Sequence, residues 1–235
     1  MGKRYILCGL YIFCICMTAG CGNGQRDTES VPKENIVSVS KVSMEELQEQ
    51  YPQWINTEGV ITYPYTIESE EYKKAENYEK QCSLMDIPKA VVDNVGTDIL
   101  LKAVEEYPIS LDYYRFNTID QAHENYSSVF YGYKVLFDRK DAYQEAWESL
   151  QEKMKDNVLE SFDYNGNQDD KYMQEKEEIN KMVLDFSLIL TERGWSGLEE
   201  KDRKTVEEQA ALLIKALGPI DTEKLVSGGD WDIIT

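Results

Sequence analysis

Residues 87–108, IPKAVVDNVGTDILLKAVEEYP, decide the fold class. Pro88 suits the first turn of a short helix running through Val92, because its missing N–H would have no partner there. Thr97 reads as the cap of a second helix, on which Leu100, Ala103, Val104 and Tyr107 share one face. Pro108 closes that helix, since the residue before a proline is pushed out of the helical region. Two short helices with their own start and stop signals therefore fit within one 22-residue stretch.

The same grammar extends in both directions. Upstream, Ser43 and Glu46 have the spacing of a capping box, and Pro52 ends the helix they begin. Residues 51–66 carry Tyr51, Trp54, Ile55, Val60, Ile61, Tyr63 and Tyr65 among Pro52, Gly59 and Pro64. They read as an irregular or short extended segment that packs against helices. Residues 70–81 read as one polar helix with Tyr72, Ala75 and Tyr78 on one side. Downstream, Thr118 and Gln121 form another box. Ile119, Ala122, His123, Tyr126, Phe130, Tyr133 and Phe137 then continue at helical spacing. Tyr143, Ala146, Trp147, Leu150 and Met154 mark the next helix. After a loop at 160–168, Tyr172, Ile179, Met182, Val183, Phe186, Ile189 and Leu190 line a long one. Gly194 reads as its stop, and Ser196 with Glu199 as a restart. Val206, Ala210, Leu213, Ile214 and Leu217 form the last stripe, which Gly218-Pro219 ends. About six amphipathic helices with short connections imply an all-α domain over residues 43–235.

Ile87-Pro88, Thr97, Leu100 and Tyr107-Pro108, followed by Phe116-Asn117-Thr118 and Arg139-Lys140-Asp141-Ala142, carry a resemblance over residues 70–155. The pattern is similar to a helical family of secreted proteins and lipoproteins of Gram-positive bacteria. Gly96-Thr97 stands where that family commonly has a Ser-Thr pair. The resemblance implies a helical fold and transfers no functional residue.

The start of the chain supplies an address. Lys3 and Arg4 precede a 13-residue apolar run from Tyr5 to Met17, and Thr18-Ala19-Gly20-Cys21 follows. A basic start, a short apolar run and small residues before a cut make a secretory signal over residues 1–20. The run is shorter than the roughly 20 apolar residues that span a bilayer. Ala19-Gly20-Cys21 resembles a bacterial lipobox, which implies lipid attachment at Cys21 and anchoring on the extracytoplasmic face of the cell membrane. Residues 21–42 are interrupted by Gly22, Gly24, Ser30, Pro32, Ser38 and Ser40, hold few large apolar side chains, and read as a flexible tether.

Loss of Lys3 and Arg4 from the 25 basic residues leaves 23 against 44 acids, a formal charge of −21. Such a surface repels phosphate backbones and excludes nucleic acid as a partner. Of five cysteines, Cys8, Cys14 and Cys16 lie in the leader and Cys21 is the lipid site. Cys82 therefore has no intramolecular disulfide partner and reads as a small buried apolar residue.

Little here has the spacing of catalytic chemistry. His123 is the single histidine and sits on an apolar stripe, where a buried ring with one hydrogen-bond partner is expected. One histidine and one remaining cysteine cannot complete a zinc set. No nucleophile elbow or phosphate-binding glycine loop occurs, and no cofactor is expected. Asp163, Asn165, Asn167 and Asp169 resemble a calcium loop in their alternation. Gln168 replaces its turn glycine and Gln174 its bidentate glutamate, so a turn followed by a helix cap is the expected reading. The acid pairs Glu105-Glu106, Glu177-Glu178 and Glu199-Glu200 lie on helices, where solvated faces explain them. Tyr63, Tyr65, Tyr72, Tyr78, Tyr113, Tyr114, Tyr126, Tyr131 and Tyr133 either pack helix ends or form a binding groove. The expected function is a lipid-anchored extracytoplasmic module that binds a protein or peptide partner. The alternative is a carboxylate-dependent hydrolase acting on cell-wall or other glycan, which needs neither histidine nor cysteine.

Overall fold

The computed structural model describes residues 42–109 and 111–218. The leader, Cys21 and the tether before residue 42 lie outside the described residues. Twelve α-helices follow one another within them, with two 3₁₀ turns and no strand. The domain is all-α, as the spacing of apolar residues predicts. The helices outnumber the predicted stretches because caps, one local at Asn77 and one from the distant Asp86, divide two of those stretches.

Helix α1 (Met44–Gln50) starts on the predicted capping box. Ser43 Oγ accepts the Glu46 N–H at 3.2 Å, and Glu46 Oε2 accepts the Ser43 N–H at 2.9 Å. The segment after it is irregular, as expected, and is held by a single antiparallel bridge between Ile55 and Ile61. Gly59 turns the chain there at φ +80°, a region that other residues enter only with strain. Residues 70–81 form two helices in place of one, α2 (Glu70–Lys74) and α3 (Tyr78–Met85). Asn77 divides them by accepting the Lys80 N–H at 2.9 Å, which starts a fresh helix.

Helices α4 (Lys89–Asn94) and α5 (Thr97–Glu105) fall where residues 87–108 place them. Thr97 differs from its expected role. Gly96 holds the cap position without a side-chain bond, and Thr97 is the first helical residue. Its hydroxyl donates to Asp141 Oδ1 at 2.9 Å and accepts from Arg139 Nη1 at 3.3 Å. Arg139 also donates to the carbonyls of Val95 at 3.0 Å and Val92 at 2.6 Å, closing the carboxyl end of α4.

The stripe from Ile119 to Phe137 is likewise two helices, α6 (Ile119–Val129) and α7 (Tyr131–Asp138). Phe130 stands between them in extended conformation. The cause is distant in sequence: Asp86 Oδ1 accepts the Tyr131 N–H at 3.0 Å, capping α7 from the end of α3. Thr118 caps α6 as predicted, while Gln121 reaches back to the Asn117 N–H, one residue before the regular box position. Helices α8 (Ala142–Lys153), α9 (Val158–Ser161) and α10 (Asp170–Ile189) follow.

Gly194 does not stop α10. Leu190 ends it, and Gly194 lies inside the short α11 (Glu192–Gly197). A Cβ there would come within 2.4 Å of the Ile189 carbonyl oxygen, so the glycine permits a close backbone approach. Ser196 does not restart the pattern either, because its hydroxyl donates back to the Arg193 carbonyl. Glu199 takes the cap position of α12 (Glu200–Leu217), and Gly218 ends that helix at φ +59°.

Helix α10 organises the core. Its first half is polar, whereas from Ile179 to Ile189 nearly every residue is buried, including Met182, Val183, Leu184, Phe186 and Leu188. A helix apolar on all sides must be surrounded. Here α8 runs beside α10, α12 and α9 pack on it, and α5 packs on α8. A second core region is aromatic. Trp54, Tyr63, Tyr107 and Phe130 meet in succession, edge to face twice and then stacked at 4.1 Å.

Candidate functional site

The end of α5 and the buried half of α10 bound a cleft of 370 Å³. That is near the lower limit for small-ligand pockets. Tyr107, Pro108, Leu111 and Leu184 line its apolar part. Glu105, Glu106, Glu177 and Lys181 supply charge, and Ile67, 47 % exposed, also lines it. Two of the acid pairs seen in the sequence thus contribute to one concavity: Glu105-Glu106 from the first, and Glu177 from the second. Glu105, 12 % exposed, is more than a solvated helix face, whereas Glu177 at 63 % exposure is solvated as expected. Lys181 is shared with the second pair, 3.6 Å from Glu177 and 3.0 Å from Glu178. The third pair, Glu199-Glu200, lies elsewhere, with Glu199 paired to Lys201 at 3.1 Å.

Asn180, 4 % exposed, also lines the cleft. Its Oδ1 accepts the Tyr113 N–H at 3.1 Å. Because the backbone partner is a donor, the amide orientation is fixed, with the NH₂ on the other side. That Nδ2 donates to no group among the described residues, and it is not sealed from solvent.

Behind Glu105 lies a buried ionic centre. Lys153 Nζ donates to Glu105 Oε1, Asp185 Oδ2 and Ser149 Oγ, each at 2.6 Å. Asp185 is 0 % exposed, and its second oxygen has no hydrogen-bond partner among the described residues. Burial pushes the Asp185 carboxyl well above the usual range, with Lys153 pulling against it and Glu105 adding to it. Burial also works to lower the Lys153 pKa, but Asp185 and Glu105 outweigh it and the net displacement is upward. Ser149 beside Lys153 invites a serine–lysine nucleophile. A lysine held charged by two carboxylates has no free lone pair with which to accept the serine proton. The centre therefore ties α5, α8 and α10 together. Neither Lys153 nor Asp185 stands out as a motif in the sequence. The one signal is an acid at 185 inside an otherwise apolar run.

The remaining candidates are structural. His123 Nδ1 is hydrogen-bonded to the Tyr133 hydroxyl, which also meets the Tyr113 hydroxyl at 3.1 Å. Burial lowers the His123 pKa to about 4, so the ring is neutral near pH 7. Cys82 is buried, and desolvation raises its thiol pKa, opposite to what a nucleophilic thiolate needs.

The loop of Asp163, Asn165, Asn167 and Asp169 is built as turn and cap. Asp163 Oδ1 accepts the Asn165 N–H, the Asp163 carbonyl accepts the Gly166 N–H, and Asp169 Oδ1 accepts the Tyr172 N–H. The Asn167 carbonyl accepts the Asp169 N–H.

The tyrosines divide by depth. Tyr113, Tyr126 and Tyr133 are core residues, whereas Tyr78 is exposed. Tyr63 donates to the Ala103 carbonyl at 2.6 Å, and Tyr131 donates to Asp93 at 3.1 Å. Tyr63 and Tyr131 thus tie helices together, and Tyr113, Tyr126 and Tyr133 pack on one another. Tyr107, outside the predicted set, is the tyrosine that lines the acidic cleft. The chain matches no protein-family model, no curated protein and no solved structure.

Proposed function

We propose that the protein is a lipid-anchored module on the extracytoplasmic face of a bacterial cell membrane that binds a protein or peptide partner through the cleft between α5 and α10. The observation that carries this reading is the cleft itself, a concave surface lined by apolar and charged side chains together with an Asn180 amide whose NH₂ has no partner among the described residues. The lipobox-like Thr18-Ala19-Gly20-Cys21 and the Gly- and Ser-containing stretch after it support presentation at a membrane surface. Two acyl chains anchor stably where one is marginal.

Two measurements test the proposal. Radiolabelled palmitate is expected in the wild type and absent from Cys21→Ala. A photo-crosslinking amino acid at Ile67, beside the cleft, is expected to give a discrete protein or peptide adduct in intact cells. Equal labelling of both forms, or no adduct, counts against it. The placement of Glu106 and Glu177 in one cleft also favours, as a second reading, carboxylate-dependent hydrolysis of a glycan, which requires two acids across a bond. Glycan turnover abolished by Glu106→Gln would establish that reading instead.

A further inference from the structure

We infer that the cleft between α5 and α10 selects a lysine residue of a peptide, reading its ammonium with Glu106 and Glu177 and its backbone carbonyl with Asn180. The inference rests on the peptide-binding reading above and names the chemistry of the partner.

Three observations converge on that ligand. The first is charge. Glu105, Glu106 and Glu177 line the cleft with one cation, Lys181. Glu105 is already engaged by Lys153 and Ser149, so its charge is met from behind. Glu106 and Glu177 are left facing solvent, with Lys181 divided between Glu177 and Glu178. An incoming ammonium would meet an excess of carboxylate at the open side of the cleft, where added salt screens the pairing.

The second observation is the free amide. Asn180 is itself buried, and its Nδ2 has no acceptor among the described residues and reaches solvent, so a ligand carbonyl can take the place of water there. An NH₂ donor suits a carbonyl oxygen, which every peptide supplies and a simple amine lacks. The third is the apolar part of the lining. Tyr107, Pro108, Leu111, Leu184 and the exposed Ile67 suit the four-carbon stem that carries a lysine ammonium. A 370 Å³ space suits one or two residues and is too small for a folded surface.

The test uses the full-length protein in detergent and isothermal calorimetry with three probes. These are an acetylated and amidated Ala-Lys-Ala tripeptide, its Gln-for-Lys counterpart, and cadaverine. The lysine peptide is expected to bind at least about tenfold more tightly than either of the others, and to weaken as salt rises. Glu106→Gln and Glu177→Gln, both solvent-facing changes, should each weaken it several-fold, and Asn180→Ala should remove its advantage over cadaverine. Should Asn180→Ala fail to fold, the two Gln variants and the probe comparison decide the matter alone. Equal binding of the Gln peptide or of cadaverine would overturn the inference. So would lysine-peptide binding that is unchanged in the Glu106→Gln/Glu177→Gln double variant. In that last case, a photo-adduct retained at Ile67 would leave the peptide-binding reading standing and remove only the lysine specificity. Loss of both the adduct and all peptide binding would remove the two together.

Discussion

Lys153 shows how much one side chain can hold. It offsets two carboxylates that would otherwise be buried without a counter-charge, and removing one partner of such a set is far costlier than replacing the set. Lys153→Met is expected to destabilise the fold by about 3–5 kcal/mol. Lys153→Met with Asp185→Leu should regain much of that loss, because the worst-placed charge leaves with its partner. Denaturant unfolding of the single and double variants checks this, and additive losses would contradict it. His123 gives a prediction in pH. Its folded pKa is lowered from 6.5 to about 4 by burial, so the unfolded chain binds the proton more readily. The stability contributed by the neutral ring is complete above about pH 6.5 and is lost as pH falls toward 4, by on the order of 3 kcal/mol. His123→Phe should flatten the unfolding profile over that interval, at the cost of the Tyr133 bond. A profile with the same slope in both proteins would refute the assignment.

At the scale of elements, Arg139 closes α4, braces the first residue of α5 and itself follows α7. Arg139→Ala should cost about 2–4 kcal/mol, since two helix-end carbonyls lose a charged donor. Amide exchange should accelerate in Ala90–Val95 more than in α10. Arg139→Lys should recover only part, because an ammonium lacks the planar fork that serves several acceptors at once. Unchanged exchange in α4 would remove Arg139 from this role. The contrast between legible and illegible elements follows from where each cap comes from. Ser43 with Glu46, Thr118, Asp169 and Gly218 act within a few residues of themselves, and their helices begin or end where the sequence places them. The break at Phe130 depends on Asp86, 45 residues from Tyr131, and nothing local announces it. Thr97 fails as a predicted cap for the same reason: partners at 139 and 141 claim its hydroxyl. Asn77 carries a local signal, an Asn before a helical run, but the continuous polar pattern across 70–81 conceals it.

The whole molecule shows the same limit more sharply. Its class follows from periodicity, and its core stripes follow closely, with Tyr107, Val183, Phe186 and Leu213 all buried as their spacing implies. The cleft does not follow, because Glu106 and Glu177 are made neighbours only by the packing around α10. Acid pairs in a chain with 44 acids carry no label that separates a wall from a solvated face. Burial of the second half of α10 on every side also bears on the order in which the chain can fold. Helices α5 and α8 are synthesised well before residue 179, yet apolar faces on α8 wait for the buried half of α10. The earlier helices can gather the aromatic region of Trp54, Tyr63, Tyr107 and Phe130, but the faces of α8 that pack on α10 stay open until it arrives. A chain ended after Gln168 should therefore show weak helical circular dichroism, bind a hydrophobic dye and digest readily, whereas one ended after Gly218 should resist. Cooperative melting of the shorter chain would refute this. Until α10 is complete that part of the polypeptide stays open, and the last long helices then act as the latch that shuts it.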